Sequence, residues 1–135
     1  MMQLVKPIDI EDALRIDLGA LMGSGWRVSA PPAPDDLGAK CIVVTSLGGA
    51  PATAVSNEHD VSVDVWAATE ADAMSGANDA AGYIASLPVR TFTSGRHYLT
   101  AAIEALPYIN PDPNRPLIPR ATFRATVGVR GTALF

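Results

Sequence analysis

The chain predicts an α+β fold: a single mostly antiparallel or mixed sheet of about five strands, with two helices packed on one face, in the order α-β-β-β-α-β-β. Three observations carry this. Two stretches repeat apolar residues at helical spacing, five shorter stretches alternate or run in β-formers, and proline or glycine clusters separate them.

The first helix reads over 9–22. Ile10, Ala13, Leu14, Leu18, Leu21 and Met22 form one apolar stripe at i, i+3, i+4 spacing. Asp9 is placed to cap the helix, and Glu11 and Asp12 put negative charge on its first turn, where the helix dipole favours it. Pro7 stands just outside, and Gly23 and Gly25 supply the stop. Trp26 to Ala30 then alternates apolar and polar, as a strand does. Pro31, Pro32 and Pro34, followed by Asp35 and Asp36, force a loop.

Cys41 to Ser46 is a β-rich run that predicts a strand covered on both faces, and Gly48 to Ala52 is expected to break it. His59 to Trp66 alternates cleanly. Val61, Val63 and Val65 point one way; Ser62, Asp64 and Trp66 point the other. Thr69 caps the second helix, with Asp72 at the third helical position. That helix, Glu70 to Ser86, gathers Ala73, Ala77, Ala80, Ala81 and Ile84 on one face, small enough to sit close on a sheet. Gly76 and Gly82 each cost it about 1 kcal/mol, and Pro88 ends it.

His97 to Ala105 is apolar enough for a strand. Five prolines in 107–119 exclude helix and interior strand, so this segment reads as an extended arm or long loop. The last strand alternates most clearly: Phe123, Ala125, Val127 and Val129 inward, Thr122, Arg124, Thr126 and Gly128 outward. The 135 residues fit one domain, 1–135.

Composition narrows the function. Hydrophobic residues make up 48% and charged residues 18%, which supports a folded core. No stretch reaches the ~18 uncharged apolar residues of a membrane helix, and early acids at Asp9, Glu11 and Asp12 argue against a leader, so the chain is expected to be leaderless and soluble. One cysteine, Cys41, excludes an internal disulfide and a cysteine metal cluster; it reads as a small buried hydrophobe. A net charge of −4 argues against a general nucleic-acid binder. The charge is uneven: residues 1–85 carry twelve acids and four bases, residues 86–135 two acids and six arginines. Such asymmetry either drives head-to-tail association of copies or neutralises itself within one fold.

Phosphate-loop, dinucleotide, zinc-protease and nucleophile-elbow motifs are absent, so no catalytic, cofactor-binding or metal residues are assigned. Glu58, His59 and Asp60 are adjacent in a strand and point to opposite faces, so they cannot converge on one metal. Residues offered to other chains are more promising. Trp66, on the polar side of its strand, either covers a second apolar layer or anchors a subunit contact. Tyr108 and Ile109 either pin the arm to their own chain or dock into a neighbour. Arg124, with Arg120 and Arg130 near the strand ends, forms either a solvated face or a basic stripe that pairs with acids of another chain.

Val61-Ser62-Val63-Asp64-Val65-Trp66-Ala67 runs straight into the helix capped by Thr69; Tyr108-Ile109-Asn110-Pro111-Asp112-Pro113 and Pro119-Arg120 lead into a strand closing on Arg130-Gly131-Thr132. In this order and spacing, over roughly residues 8–132, the chain resembles tail terminator (tail completion) proteins of long-tailed, non-contractile bacteriophages. The resemblance implies a virion protein, not an enzyme. It implies a homohexameric ring at the head-proximal end of the tail, assembled in the host cytoplasm, that ends tube polymerisation and offers a surface for head–tail joining. Implied partners are its own copies, the major tail tube protein and a head-closure or connector protein. Phage DNA would pass through the lumen without sequence-specific contact, and no cofactor is involved. The alternative is a head-closure or head–tail connector protein of the phage neck.

Overall fold

A computed structural model describes residues 5–133. Its elements are β1 (Val5–Lys6), α1 (Ile10–Met22), β2 (Arg27–Ser29), β3 (Lys40–Pro51), β4 (Ser56–Ala67), α2 (Glu70–Ala85), a 3₁₀ turn (Leu87–Val89), β5 (Tyr98–Ile109), β6 (Arg120–Arg130) and β7 (Thr132–Ala133). The main sheet has five strands in the order β2-β3-β4-β6-β5, and β1 pairs with β7 in a separate two-stranded ribbon. β2 runs parallel to β3, while the other main-sheet pairs are antiparallel. The fold is therefore α+β with a mixed sheet, as the pattern predicts; the β1–β7 ribbon is an addition, too short to leave a periodic signal.

Both helices begin as their caps dictate. The Asp9 carboxylate accepts from the Asp12 N–H at 3.1 Å, and the Thr69 hydroxyl accepts from the Asp72 N–H at 3.1 Å. Gly23, at φ 84°, closes α1 in a backbone state that costs a side chain strain. Each helix lays its apolar stripe on the same sheet face. Leu14 and Leu18 of α1 and Ala73, Ala77, Ala80 and Ile84 of α2 are buried. They meet Ile42 and Val44 of β3, Val61, Val63 and Val65 of β4, and Phe123, Ala125 and Val127 of β6, all fully buried. Burying a side chain of the Val, Leu or Phe class contributes about 1.5–3 kcal/mol, so this inward face is the main source of stability.

Gly76 belongs to the packing. A Cβ there would collide with the edge of the Trp26 ring, so glycine lets α2 close on that indole. Gly82 faces open space and has no such reason.

Several boundaries differ from expectation. Gly48 to Pro51 does not break β3, which continues to Pro51. The strand absorbs the glycines as an irregularity, because its register against β4 shifts between Ser46 and Gly49. Gly49, at φ 151°, lies against the Glu58 carbonyl, where any Cβ would collide. β4 correspondingly begins at Ser56, three residues before the predicted start. α2 ends at Ala85, with Ser86 as its C-cap.

The proline arm is also shorter than predicted. β5 reaches Ile109, so Pro107, Tyr108 and Ile109 belong to the strand. The arrangement tolerates Pro107 because β5 is an edge strand and its register slips between Ala105 and Tyr108, leaving no ladder bond for the missing N–H to make. His97 lies just before β5, outside the strand predicted to contain it.

Candidate interaction surface

The sheet face turned away from the helices carries most of the residues singled out in the sequence. Alternation places Cys41, Val43 and Thr45 of β3 there, with Asp60, Ser62, Asp64 and Trp66 of β4, and Arg120, Thr122, Arg124 and Thr126 of β6. The register lines these up in rows. Cys41, Trp66 and Arg120 form one; Val43, Asp64, Thr122 and Tyr108 the next; Thr45, Ser62, Arg124 and Ala105 the third.

One end of this face is covered by its own chain. Trp66 is 3% exposed and packs with Leu37, Cys41 and Val43 in a second small core. Arg115 and Arg120 lie over its ring, their guanidinium carbons 5.8 and 5.7 Å from the centroid. Asp112, itself buried, bonds Arg115 at 3.4 Å and approaches Arg120 at 4.0 Å. Arg115 also donates to the Pro34 carbonyl at 2.8 Å, and Arg120 to the Asn110 carbonyl at 2.7 Å. These bonds latch segment 110–119 and the proline loop after β2 onto the sheet, with Trp66 beneath both. Trp66 thus covers a second apolar layer in its own chain. Cys41 is fully buried there, and burial pushes its thiol above the usual range, which suppresses the reactive thiolate.

The middle of the face is polar and internally paired. The Thr122 hydroxyl donates to Asp64 at 2.6 Å and accepts from the Asn110 amide at 3.2 Å. The Thr126 hydroxyl lies between the carboxylates of Asp60, at 2.8 Å, and Glu104. Arg124 stands between these rows, exposed, opposite Ser62. Arg120, Arg124 and Arg130 do share this side of β6, but at ~3.3 Å per residue they are about 13 and 20 Å apart along it. Asp64, Asp60 and Glu104 sit among them, so the arginines do not form a continuous basic stripe. The same interleaving answers the charge asymmetry. β4 from the acidic part of the chain and β6 from the basic part are adjacent strands, and part of the imbalance neutralises within one face.

Uncovered apolar side chains include Leu106, 78% exposed, Tyr108, 49%, and Leu117, 93%, while Ile16, Leu47 and Val89 are uncovered elsewhere on the molecule. Leu106 and Tyr108 lie on the edge strand, and Leu117 in the segment that joins it to β6. Ile109, by contrast, is half-buried against the main core and ties the strand end to its own chain.

A buried charge network was not anticipated. Asp17 is 1% exposed and accepts from Ser94 at 2.8 Å, from Arg96 Nε at 2.8 Å and from the Tyr98 hydroxyl at 2.6 Å. Burial, reinforced by the adjacent Asp17 carboxylate, pushes the Tyr98 phenol far above its ordinary value. Burial opposes the charge on Arg96, but its bond to Asp17 outweighs that and holds it protonated. The sequence did hold a signal. Asp17 falls on the apolar stripe of α1, three residues after Leu14 and four before Leu21, where an acid needs a buried partner.

A cleft of about 440 Å³ opens on the helix side of the molecule, between the N-terminus of α1 and the β3–β4 hairpin. Asp9, Glu11 and His59 line it with Pro7, Ile8 and Pro51; Glu58 borders it, but alternation along β4 puts its side chain on the face of Asp60. Glu11 accepts from the Ser46 N–H at 2.8 Å, which ties α1 to the hairpin. His59 is 8% exposed and its Nε2 has no partner among the described residues; burial favours the neutral ring and lowers its pKa below the ordinary value despite the opposing pull of Asp60. Asp60 faces the opposite side, so strand alternation separates the two as expected.

Among the described residues, no helix is long and apolar enough to cross a membrane. No protein-family model matches the chain, and no curated protein does. Among solved structures, a chain from the "Virion of native gene transfer agent (GTA) particle" is similar, with 18% identity, 84% of each chain covered and a TM-score of 0.45.

Proposed function

We propose that this chain is a structural protein of a phage-type virion, and that it acts as a tail terminator. In this reading six copies close into a ring on the head-proximal end of the tail tube. One face of the ring matches the last ring of the major tail tube protein, and the other refuses a further tube subunit and receives the head-closure protein. The chain works by shape: a heterologous contact between copies closes by rotation, and no bond is made or broken.

The observation that carries this reading is the pair of uncovered apolar side chains, Leu106 and Tyr108, on the edge strand β5. A chain that keeps large apolar side chains in water on an edge strand gains stability when another surface covers them. The resemblance of residues 8–132 to tail terminators supplies the kind of assembly. β5 is a poor template for simple sheet extension, because Pro107 and three register slips interrupt it. Side-chain docking at this end, rather than strand pairing along the whole edge, is therefore the contact expected.

Purified protein mixed with phage tails and imaged in negative stain should decorate one tail end, and mass measurement should find a hexamer there or in solution. Binding to DNA-filled heads before tails would assign it to head closure, and failure to bind either would end the virion reading. Replacing Arg124 by Glu should weaken assembly more than folding; normal assembly of that variant would make Arg124 ordinary solvated surface.

A further inference from the structure

We propose that Glu11 guards an open edge of the main sheet, and that its contact with β3 keeps this chain from pairing strand to strand with a second copy. A strand edge presents unpaired N–H and C=O groups that another extended segment can meet. The main sheet has two such edges. β5 forms one, and β3 forms the other wherever β2 does not cover it. β2 pairs with Cys41–Val43, whereas β3 continues to Pro51. Beyond Val43, β3 has no strand on its outer side among the described residues.

The groups along this edge are spoken for. In an antiparallel pair, the N–H groups of successive residues point alternately towards the partner strand and away from it. The Ser46 N–H points away from β4, because it donates to the Glu11 carboxylate at 2.8 Å. The Gly48 N–H donates to the Ser46 hydroxyl at 3.3 Å. Ser46, Gly49 and Pro51 stand opposite Val61, His59 and Asn57, which are alternate residues of β4. Pro51 therefore takes an outward position, like Ser46, and has no N–H to offer there. At three positions the donor that a second strand would need is taken or missing.

Glu11 differs from the other two devices. The Ser46 hydroxyl and Pro51 belong to the strand itself, while Glu11 comes from the first turn of α1, 35 residues away in sequence. Its oxygen reaches the edge only because α1 packs where it does. The stretch it guards is open to water: Ser46, Leu47 and Gly48 are exposed, and Leu47 offers apolar surface that a paired strand would cover. The same bond ties α1 to the hairpin. A tie alone, once cut, lowers stability and leaves association unchanged; a guard, once removed, lets copies associate.

Light scattering and amide exchange on the full chain separate the two roles. The average mass of Glu11→Ala should rise with concentration to about twice that of the wild type, because one open edge pairs with one other. Its Ser46 amide should exchange faster than the wild type's in dilute solution, and slow again over the concentrations where the mass rises. Glu11→Gln loses the same charge but keeps a carbonyl oxygen for the Ser46 N–H, so it should keep the wild-type mass. Circular dichroism checks that each variant is folded. Should Glu11→Ala not fold, Glu11→Asp is read in its place: it keeps the charge on the first turn of α1 and, one methylene shorter, withdraws the oxygen from Ser46. A folded variant without the contact that keeps the wild-type mass at every concentration would overturn the proposal, as would equal association of Glu11→Gln. The inference does not rest on the ring reading. Each variant is compared with the wild type in whatever oligomeric state that holds, and imaging on tails is a separate measurement, so either idea can fail alone.

Discussion

The two faces of β4 and β6 are built from the same strands and hold together by different means. On the helix side, Val61, Val63, Val65, Phe123, Ala125 and Val127 are fully buried in one apolar core. On the other side, the alternate residues of those strands make specific polar pairs, Asp64 with Thr122 and Asp60 with Thr126, and one end is roofed by an arginine latch. Non-directional burial stabilises the first face, so many apolar residues would serve there. The second depends on geometry between named partners. The difference teaches that non-directional burial and specific polar pairing are divided between opposite pleats of one sheet.

The largest test of that division is Phe123→Ala. Removing a fully buried ring from the helix side should cost about 3–5 kcal/mol, read as a loss of urea midpoint and a Tm lower by about 10 °C or more. A cost below about 1 kcal/mol would mean that this face is not the main store of stability.

Asp17 is a buried acid on the helix side, and Asp17→Ala should cost about 3 kcal/mol by leaving the Arg96 and Tyr98 donors without their acceptor. The same network has a pH signature. The Tyr98 pKa is raised in the folded state, so its contribution is complete below the unfolded value of about 10 and is lost as pH rises above it. Wild type should therefore lose stability above pH ~10 faster than Tyr98→Phe, by up to about 1.4 kcal/mol per pH unit. Parallel curves would remove the phenol from the account.

The two α2 glycines should give opposite signs. Gly76→Ala places a methyl against the Trp26 ring and should destabilise by about 1–3 kcal/mol, whereas Gly82→Ala faces solvent and should stabilise by up to about 1 kcal/mol. Equal signs in thermal melts would mean that Trp26 does not sit against α2 as described. The smallest effect belongs to the latch. Arg115→Ala should cost about 1 kcal/mol and speed amide exchange in 110–119 while the β4 and β6 amides keep their protection. Faster exchange throughout would mean that the latch supports the whole fold and not one end of one face.

Much of the fold was legible because the relevant signals are local. The stripe from Ile10 to Met22, the caps at Asp9 and Thr69, and the alternations at 61–66 and 122–129 each follow from the geometry of a single helix or strand. The misreadings occurred where a neighbour decided. Gly48 and Gly49 resemble a break, but pairing with β4 holds them in a strand irregularity. Pro107 resembles the start of an arm, but an edge position accepts it in β5. The site residues followed the same rule. Trp66 was assigned to the correct pleat, yet whether it met a partner or its own chain depended on where segment 110–119 returned.

The order of residues by itself determined which segments are helix and strand and which side of each is apolar, because those properties repeat with the period of one element. Only the tertiary structure decided that Asp17 meets Arg96 and Tyr98, that Trp66 lies under two arginines, and that an acidic cleft forms beside His59. Those contacts join residues tens of positions apart, and their existence rests on how the elements pack, which no local period encodes.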